Sequence, residues 1–243
     1  MSNIYFQFKQ FTIHQDRCAM KVTTDACLFG AWAASEVKSQ ESKVKNVLDV
    51  GAGTGLLSLM FAQKSPTSVI DAIEIDKDAH EQANENVFGS PFVTQITLIN
   101  DDAKIFPFRK KYDIIISNPP FYEKELKSTD QKKNIAHHHS ALLFGDLLFI
   151  VKSNLTTHGK FYFLLPYKRN DEIKALFEKD LSLQKIIFVR QSTKHDYFRI
   201  MLCGELIGKK DTETMIDEIS IWTDEQQYTN EFKELLKDYY LSL

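Results

Sequence analysis

The chain has 243 residues, 43% of them hydrophobic, and a formal net charge of −3. That is enough for a real core in one large α/β domain or two small ones. The balance of charge excludes a global electrostatic pull toward nucleic acid, so any such contact must come from a local basic patch. Cys18, Cys27 and Cys203 show no metal-ligand spacing, and a polar-aromatic start without a long apolar run reads as no signal peptide, which predicts a cytoplasmic protein that is neither secreted nor membrane-spanning.

In chain order, the alternating aromatics Phe6-Gln7-Phe8-Lys9-Gln10-Phe11 predict a strand. Thr24 or Asp25 is placed to cap a helix starting near Ala26. Residues 34–45 are polar and predict a loop. Strands and helices then alternate: strand 47–50, helix 55–64, strand 69–75, helix 77–87, strands 94–99 and 113–117, helix 139–154, strand 160–165, helix 169–179. The apolar stretches 183–190 and 197–206 flank a polar turn and predict a hairpin. Phe232, Leu235, Leu236 and Tyr239 repeat at helical spacing and predict a closing helix. Such alternation argues for an α/β fold, a mostly parallel sheet with helices on both faces. Residues 1–243 read as one domain, with residues 1–45 as an N-terminal strand and a helix able to cover a ligand.

The segment Val47-Leu48-Asp49-Val50-Gly51-Ala52-Gly53-Thr54-Gly55 runs an apolar strand into three glycines, and an apolar helix follows. Glycines at a strand-to-helix turn let a ligand approach the backbone, where the helix start offers free N–H groups. The dinucleotide fingerprint fails, because it requires glycine at position 56 and the chain has Leu56. The pattern D-x-G-x-G-x-G instead resembles the S-adenosylmethionine loop of class I methyltransferases. The next two strands end in Glu74 and in Asn100-Asp101-Asp102. Open parallel sheets bind ligands at these carboxyl ends, and an acidic residue at the second strand end suits ribose hydroxyls.

The strand 113–117 ends in Asn118-Pro119-Pro120-Phe121. Two prolines remove two backbone donors and stop the strand. What remains is a rigid ledge of acceptors beside an aromatic face, suited to a flat amide or amidine. A plain strand-ending turn would carry the same residues. The trio His137-His138-His139 lacks i,i+4 ligand spacing with carboxylate partners, so no metal is expected.

The block Asp16-Arg17-Cys18-Ala19-Met20-Lys21-Val22, then Thr24-Asp25 and the Leu28 to Trp32 helix, is similar to the bacterial tRNA1(Val) adenine-N6 methyltransferases. The similarity continues through Asp49 to Gly55, Glu74-Ile75-Asp76, Asn118 to Phe121 and Tyr239-Tyr240-Leu241, nearly the whole chain. Thr23 stands where glycine is more usual, and the histidines after Phe121 are an addition.

The resemblance implies a Rossmann-like class I methyltransferase fold with a seven-stranded, mostly parallel sheet closed by an antiparallel hairpin strand. It implies methyl transfer from S-adenosyl-L-methionine to N6 of the adenine at position 37, next to the anticodon of tRNA1(Val), by a monomer with tRNA as partner. Asp49, Gly51, Gly53 and Gly55 would hold the methionine part of the cofactor, Glu74 the ribose, and Asp102 the adenine, with Asp101 the competitor for that last role. Thr24 and Asp25 would lid it. Asn118 and Pro119 would accept from the target amino group, Pro120 would stiffen the ledge, and Phe121 would stack on the base. Tyr122 could share the stacking, and Lys124, Lys127, Lys132 and Lys133 would meet phosphates. Glutamine-amide methylation of a protein, amino methylation of another RNA or DNA, and a catalytically silent binding module are the competing readings.

Overall fold

The computed structural model describes residues 3–38, 45–119, 144–170, 181–206 and 213–243. Two short strands, β1 (Tyr5–Gln7) and β2 (Thr12–His14), pair antiparallel as a separate ribbon. The helix α1 (Thr24–Lys38) follows. Then come β3 (Asn46–Val50), α2 (Leu56–Lys64), β4 (Val69–Glu74), α3 (Lys77–Phe88), β5 (Ile96–Asn100) and β6 (Tyr112–Ser117). The chain finishes with α4 (Phe144–Asn154), β7 (Leu155–Pro166), β8 (Leu181–Arg190), β9 (Tyr197–Leu206), β10 (Met215–Ser220) and α5 (Asn230–Leu236).

The main sheet has the order β10-β8-β9-β7-β6-β3-β4-β5 among the described residues. Pairs β3–β4, β4–β5, β3–β6 and β6–β7 are parallel, whereas β9 runs antiparallel to both β7 and β8. The expected hairpin is therefore present. One strand exceeds the expected seven: β10 pairs parallel with β8 at the sheet edge. Of its residues only Ile219 is buried, so it lacks the apolar alternation by which strands are recognised.

The chain reverses direction across the sheet between β3 and β6, because β4 and β5 lie on one side of β3 and the later strands on the other. That reversal opens a crevice at the carboxyl ends of β3 and β6. One face of the sheet is covered by α1, α2 and α5, around Leu28, Phe29, Trp32, Leu59, Phe61 and Phe232. The other packs Leu147, Leu148 and Val151 of α4 on Ile115, Phe161 and Phe163. Truncating one such side chain to alanine costs about 2–5 kcal/mol.

Several local expectations shift. Thr23, not Thr24 or Asp25, caps α1: its hydroxyl accepts from Ala26 N at 3.4 Å. Strand β7 begins at Leu155 rather than 160, directly after α4. Of the expected helix 169–179, Tyr167–Arg169 form a 3-10 turn and 171–180 lie outside the described residues. Tyr239 falls beyond α5, buried, with its hydroxyl donating to Met60 O at 2.9 Å. Of the run Phe6 to Phe11 only Phe6 and Gln7 fall in a strand, β1, and Phe8 pairs by a lone bridge with Tyr240.

Candidate active site

The crevice is built first from backbone. Gly51, Gly53 and Gly55 all take left-handed φ values, 73°, 54° and 80°. A side chain in that conformation costs roughly 1–2 kcal/mol, which explains glycine at each. A Cβ at Gly51 or Gly53 would meet nothing within 4 Å. Among the described residues nothing fills the space at these two glycines, which leaves it open to a ligand. The loop is tied down from below: Gly51 N and Ala52 N donate to Ile73 O at 2.9 and 3.1 Å. Asn86 on α3 donates to Thr54 O at 2.9 Å and also to His14 O on β2.

Asp49 lies under this loop and is fully buried. Its Oδ2 accepts from the Ser58 hydroxyl at 2.7 Å. Its Oδ1 is buried without a partner among the described residues. Burial pushes the carboxyl up to about 7, Ser58 pulling it back and the charge of Glu74 adding to the rise. A buried carboxylate oxygen left unpaired is costly, and a cationic donor brought by a ligand would remove that cost.

Glu74 ends β4 beside the loop. Its Oε2 accepts from Gly53 N at 2.8 Å, and its Oε1 from Asp76 N at 2.9 Å. Each oxygen has a further lone pair, so the same carboxylate can shape the loop and accept from a ligand hydroxyl. Beyond β5, Asp101 is exposed and its Oδ1 accepts from Asp102 N. Asp102 is half-buried; its Oδ1 accepts from Lys104 N at 2.9 Å, and Lys104 Nζ lies 3.5 Å from Oδ2.

Asn118 is half-buried and Pro119 buried, at the end of β6. The residue before them, Ser117, fixes their position. Its buried hydroxyl donates to Val50 O at 2.7 Å. Val50 immediately precedes Gly51, so one hydrogen bond clasps the Asn-Pro ledge to the glycine loop. Pro120, Phe121, Tyr122, Lys124, Lys127, Lys132, Lys133 and the three histidines lie outside the described residues.

Thr24 is half-buried and Asp25 buried at the start of α1. Asp25 is paired with Arg199, whose Nε donates to Oδ2 at 2.6 Å. Arg199 stands opposite Pro166, the last residue of β7, so the start of α1 is anchored at the same sheet edge as the crevice. Ser58, Asn86, Ser117 and Arg199 escaped sequence reading. Asn86, Ser117 and Arg199 act through partners distant in the chain; Ser58 meets Asp49 only nine residues away, but within an apolar helix no pattern marks its hydroxyl.

The acceptors present fit S-adenosylmethionine. The unpaired Asp49 oxygen lies under the glycine loop, Gly51 and Gly53 leave room at the loop, and the Glu74 carboxylate keeps free lone pairs beside it, the acceptors that an ammonium and a diol require. Among the described residues no group of His, Cys, Asp or Glu is arranged to hold a metal ion, and no helix is long and apolar enough to cross a membrane.

Comparison with known proteins agrees with this geometry. Residues 34–165 match the model of the methyltransferase small domain. A relative from Dyadobacter fermentans, called tRNA1(Val) (adenine(37)-N6)-methyltransferase, is 41% identical over 98% of both chains. One of the same name from Parabacteroides distasonis is 37% identical over the full length of both. Among solved structures, a predicted O-methyltransferase from Agrobacterium tumefaciens shares the fold with a TM-score of 0.69 at 14% identity, over 88% of this chain and 96% of that one. TrmN from Thermus thermophilus superposes with a TM-score of 0.52 at 21% identity, over 73% of this chain and 49% of that one. With full-length relatives well above 30% identity, this chain belongs to the tRNA1(Val) (adenine(37)-N6)-methyltransferase family.

Proposed function

We propose that this protein transfers the methyl group of S-adenosyl-L-methionine to the exocyclic N6 of the adenine at position 37 of tRNA1(Val). The observation that carries the reading is the Ser117–Val50 hydrogen bond. It holds the Asn118-Pro119 acceptors beside a glycine loop whose buried carboxylate lacks a partner.

Asp49 accepts from the ammonium of the cofactor's methionine part, directly or through water, over Gly51, Gly53 and Gly55. Glu74 accepts from the ribose hydroxyls, and Asp102 faces the adenine of the cofactor. Thr24 and Asp25 close over it, with Arg199 holding Asp25 in place. Bound S-adenosylmethionine supplies an electrophilic methyl on a sulfonium.

The adenine amino nitrogen is a poor nucleophile because its lone pair is delocalised into the ring. The Asn118 side-chain oxygen and the Pro119 carbonyl accept its two hydrogens and draw the nitrogen toward a tetrahedral shape. The lone pair is then localised for in-line attack. As the carbon–nitrogen bond forms and the carbon–sulfur bond breaks, the same acceptors carry the positive charge developing on N6. The proton leaves to solvent afterwards, so no general base is needed before attack. Pro120 keeps the ledge rigid. Phe121 stacks on the extruded base, with Tyr122 beside it, and Lys124, Lys127, Lys132 and Lys133 meet the phosphates. The protein works where tRNA is, in the cytoplasm.

The test is incubation with labelled cofactor and total tRNA lacking the modification, followed by nucleoside mass spectrometry. N6-methyladenosine next to the anticodon is expected. Label on another nucleoside, or on protein glutamine, would overturn the assignment.

A further inference from the structure

The far end of the sheet carries a second cleft at the same edge as Asn118. Strand β7 is parallel to β6, β9 opposes β7, and β8 opposes β9, so β8 and β10 finish where β3 and β6 finish. Two loops leave there, the turn 191–196 and the segment 221–229. Backbone bonds join them, Ile221 N to Arg190 O at 3.0 Å and Trp222 N to Gln191 O at 2.8 Å. Asp224 ties them again, accepting from Thr193 Oγ1 at 2.9 Å and lying 3.5 Å from Lys194 Nζ.

Between the loops lies an open cleft of about 610 Å³, lined by Gln191, Ser192, Lys194, His195, Trp222 and Gln226 among others. Trp222 is half-buried, and its ring stacks on Tyr228 at 4.0 Å and 20°. Tyr228 stacks in turn on the fully buried Phe232 at 4.4 Å and 13°. The indole is thus held as a rigid platform. His195 Nδ1 is engaged by the buried Ser192 hydroxyl at 2.9 Å, which directs any ligand to Nε2.

We propose that this cleft holds an unpaired nucleotide of the RNA substrate, its base on Trp222 and its phosphate near Lys194 and His195; the assignment rests on the tRNA activity proposed above. The chemistry favours a nucleotide. A flat aromatic platform is flanked by the Gln191 and Gln226 amides, which are able to meet base edges. Asp196, Asp224 and Glu225 stand in the same loops as Lys194 and His195, so the cleft is not a general anion patch. Stacking must supply its affinity, which suits a chain whose net charge is −3. Three to four strand positions separate it from β6. At about 4.8 Å each, that is roughly 14–19 Å, the reach of a few nucleotides of single strand.

The test is steady-state methylation of unmodified tRNA by Trp222→Leu. An increase in KM for tRNA of about tenfold or more is expected, with kcat and cofactor affinity unchanged. An abasic substitution at one position of the RNA loop should reproduce the loss in the wild type and add nothing in the variant. Unchanged KM, or a fully additive loss at every abasic position, overturns the proposal. If Trp222→Leu fails to fold, the double variant Lys194→Ala, His195→Ala replaces two exposed side chains. It should raise KM, and an unchanged KM again overturns the proposal. A wild-type chain that methylates no tRNA overturns the activity proposed above. Direct RNA titration of the same variants then reads the cleft by itself, by the same tenfold criterion.

Discussion

The parallel and antiparallel halves of the sheet use glycine for opposite purposes. At Gly53, beside β3, the backbone takes φ 54° and a Cβ would meet nothing within 4 Å. At Gly204, in β9, a Cβ would fall 2.3 Å from Phe161 Cζ and 2.6 Å from Ser182 O. The first glycine leaves room for a ligand, and the second lets two strands and a core ring close on each other. The polar groups at the two sets of loops differ as well. Asp49, under the parallel half's loop, has a buried oxygen with no partner. In the antiparallel half's loops, Asp224 and Ser192 are satisfied by neighbouring side chains. Among the described residues Gln63, Gln95 and Tyr162 also bury a side-chain atom without a partner, but only that of Asp49 lies under the glycine loop.

Four substitutions would break or sharpen that contrast. Asn118→Ala should have the largest effect, lowering single-turnover methylation by about 10²-fold or more, the scale of one preorganised contact to developing charge. Tm and cofactor affinity should hold, because the residue sits at a strand end. Wild-type rates in this variant would reduce the ledge to a turn. Gly204→Ala should do the reverse. Overpacking against Phe161 should lower stability by about 1–3 kcal/mol in urea unfolding, while activity per folded molecule is retained. A loss of turnover without a loss of stability would contradict the division.

Glu74→Ala should weaken cofactor binding by about 1–3 kcal/mol by titration calorimetry, the scale of a charged hydrogen bond. Part of this comes from the freed Gly53 N–H. Unchanged affinity would remove Glu74 from the site. The mildest test concerns pH. The Asp49 carboxyl is raised to about 7 in the folded chain from an ordinary 3.8, so between those values the folded state holds a proton that the unfolded chain has released. Its contribution is therefore greatest in acid and declines as pH rises from about 4 to 7, by up to about 1.4 kcal/mol per unit, then stays level. Ligand-free Asp49→Asn should lose this component of the slope. Parallel wild-type and variant stability curves between pH 5 and 7 would show that burial does not perturb the group.

The sequence by itself determined the elements whose signals are local. Short apolar runs marked β3, β4 and β6, the glycines marked the strand-to-helix loop, and two prolines marked the end of β6. It also placed Asp49, Glu74 and Asn118 at strand ends, because order along the chain becomes order along the carboxyl edge of a parallel sheet. Tertiary structure decided what depends on residues far apart in the chain. The exposed strand β10 exists through pairing with β8. Ser117 reaches Val50, Asp25 meets Arg199, and Trp222 becomes a platform only when Tyr228 and Phe232 stack beneath it. Periodicity and turn chemistry register the conformation of a few neighbouring residues. A hydrogen bond across 67 positions, such as Ser117 to Val50, leaves no mark at that scale, since either partner alone is an ordinary strand residue.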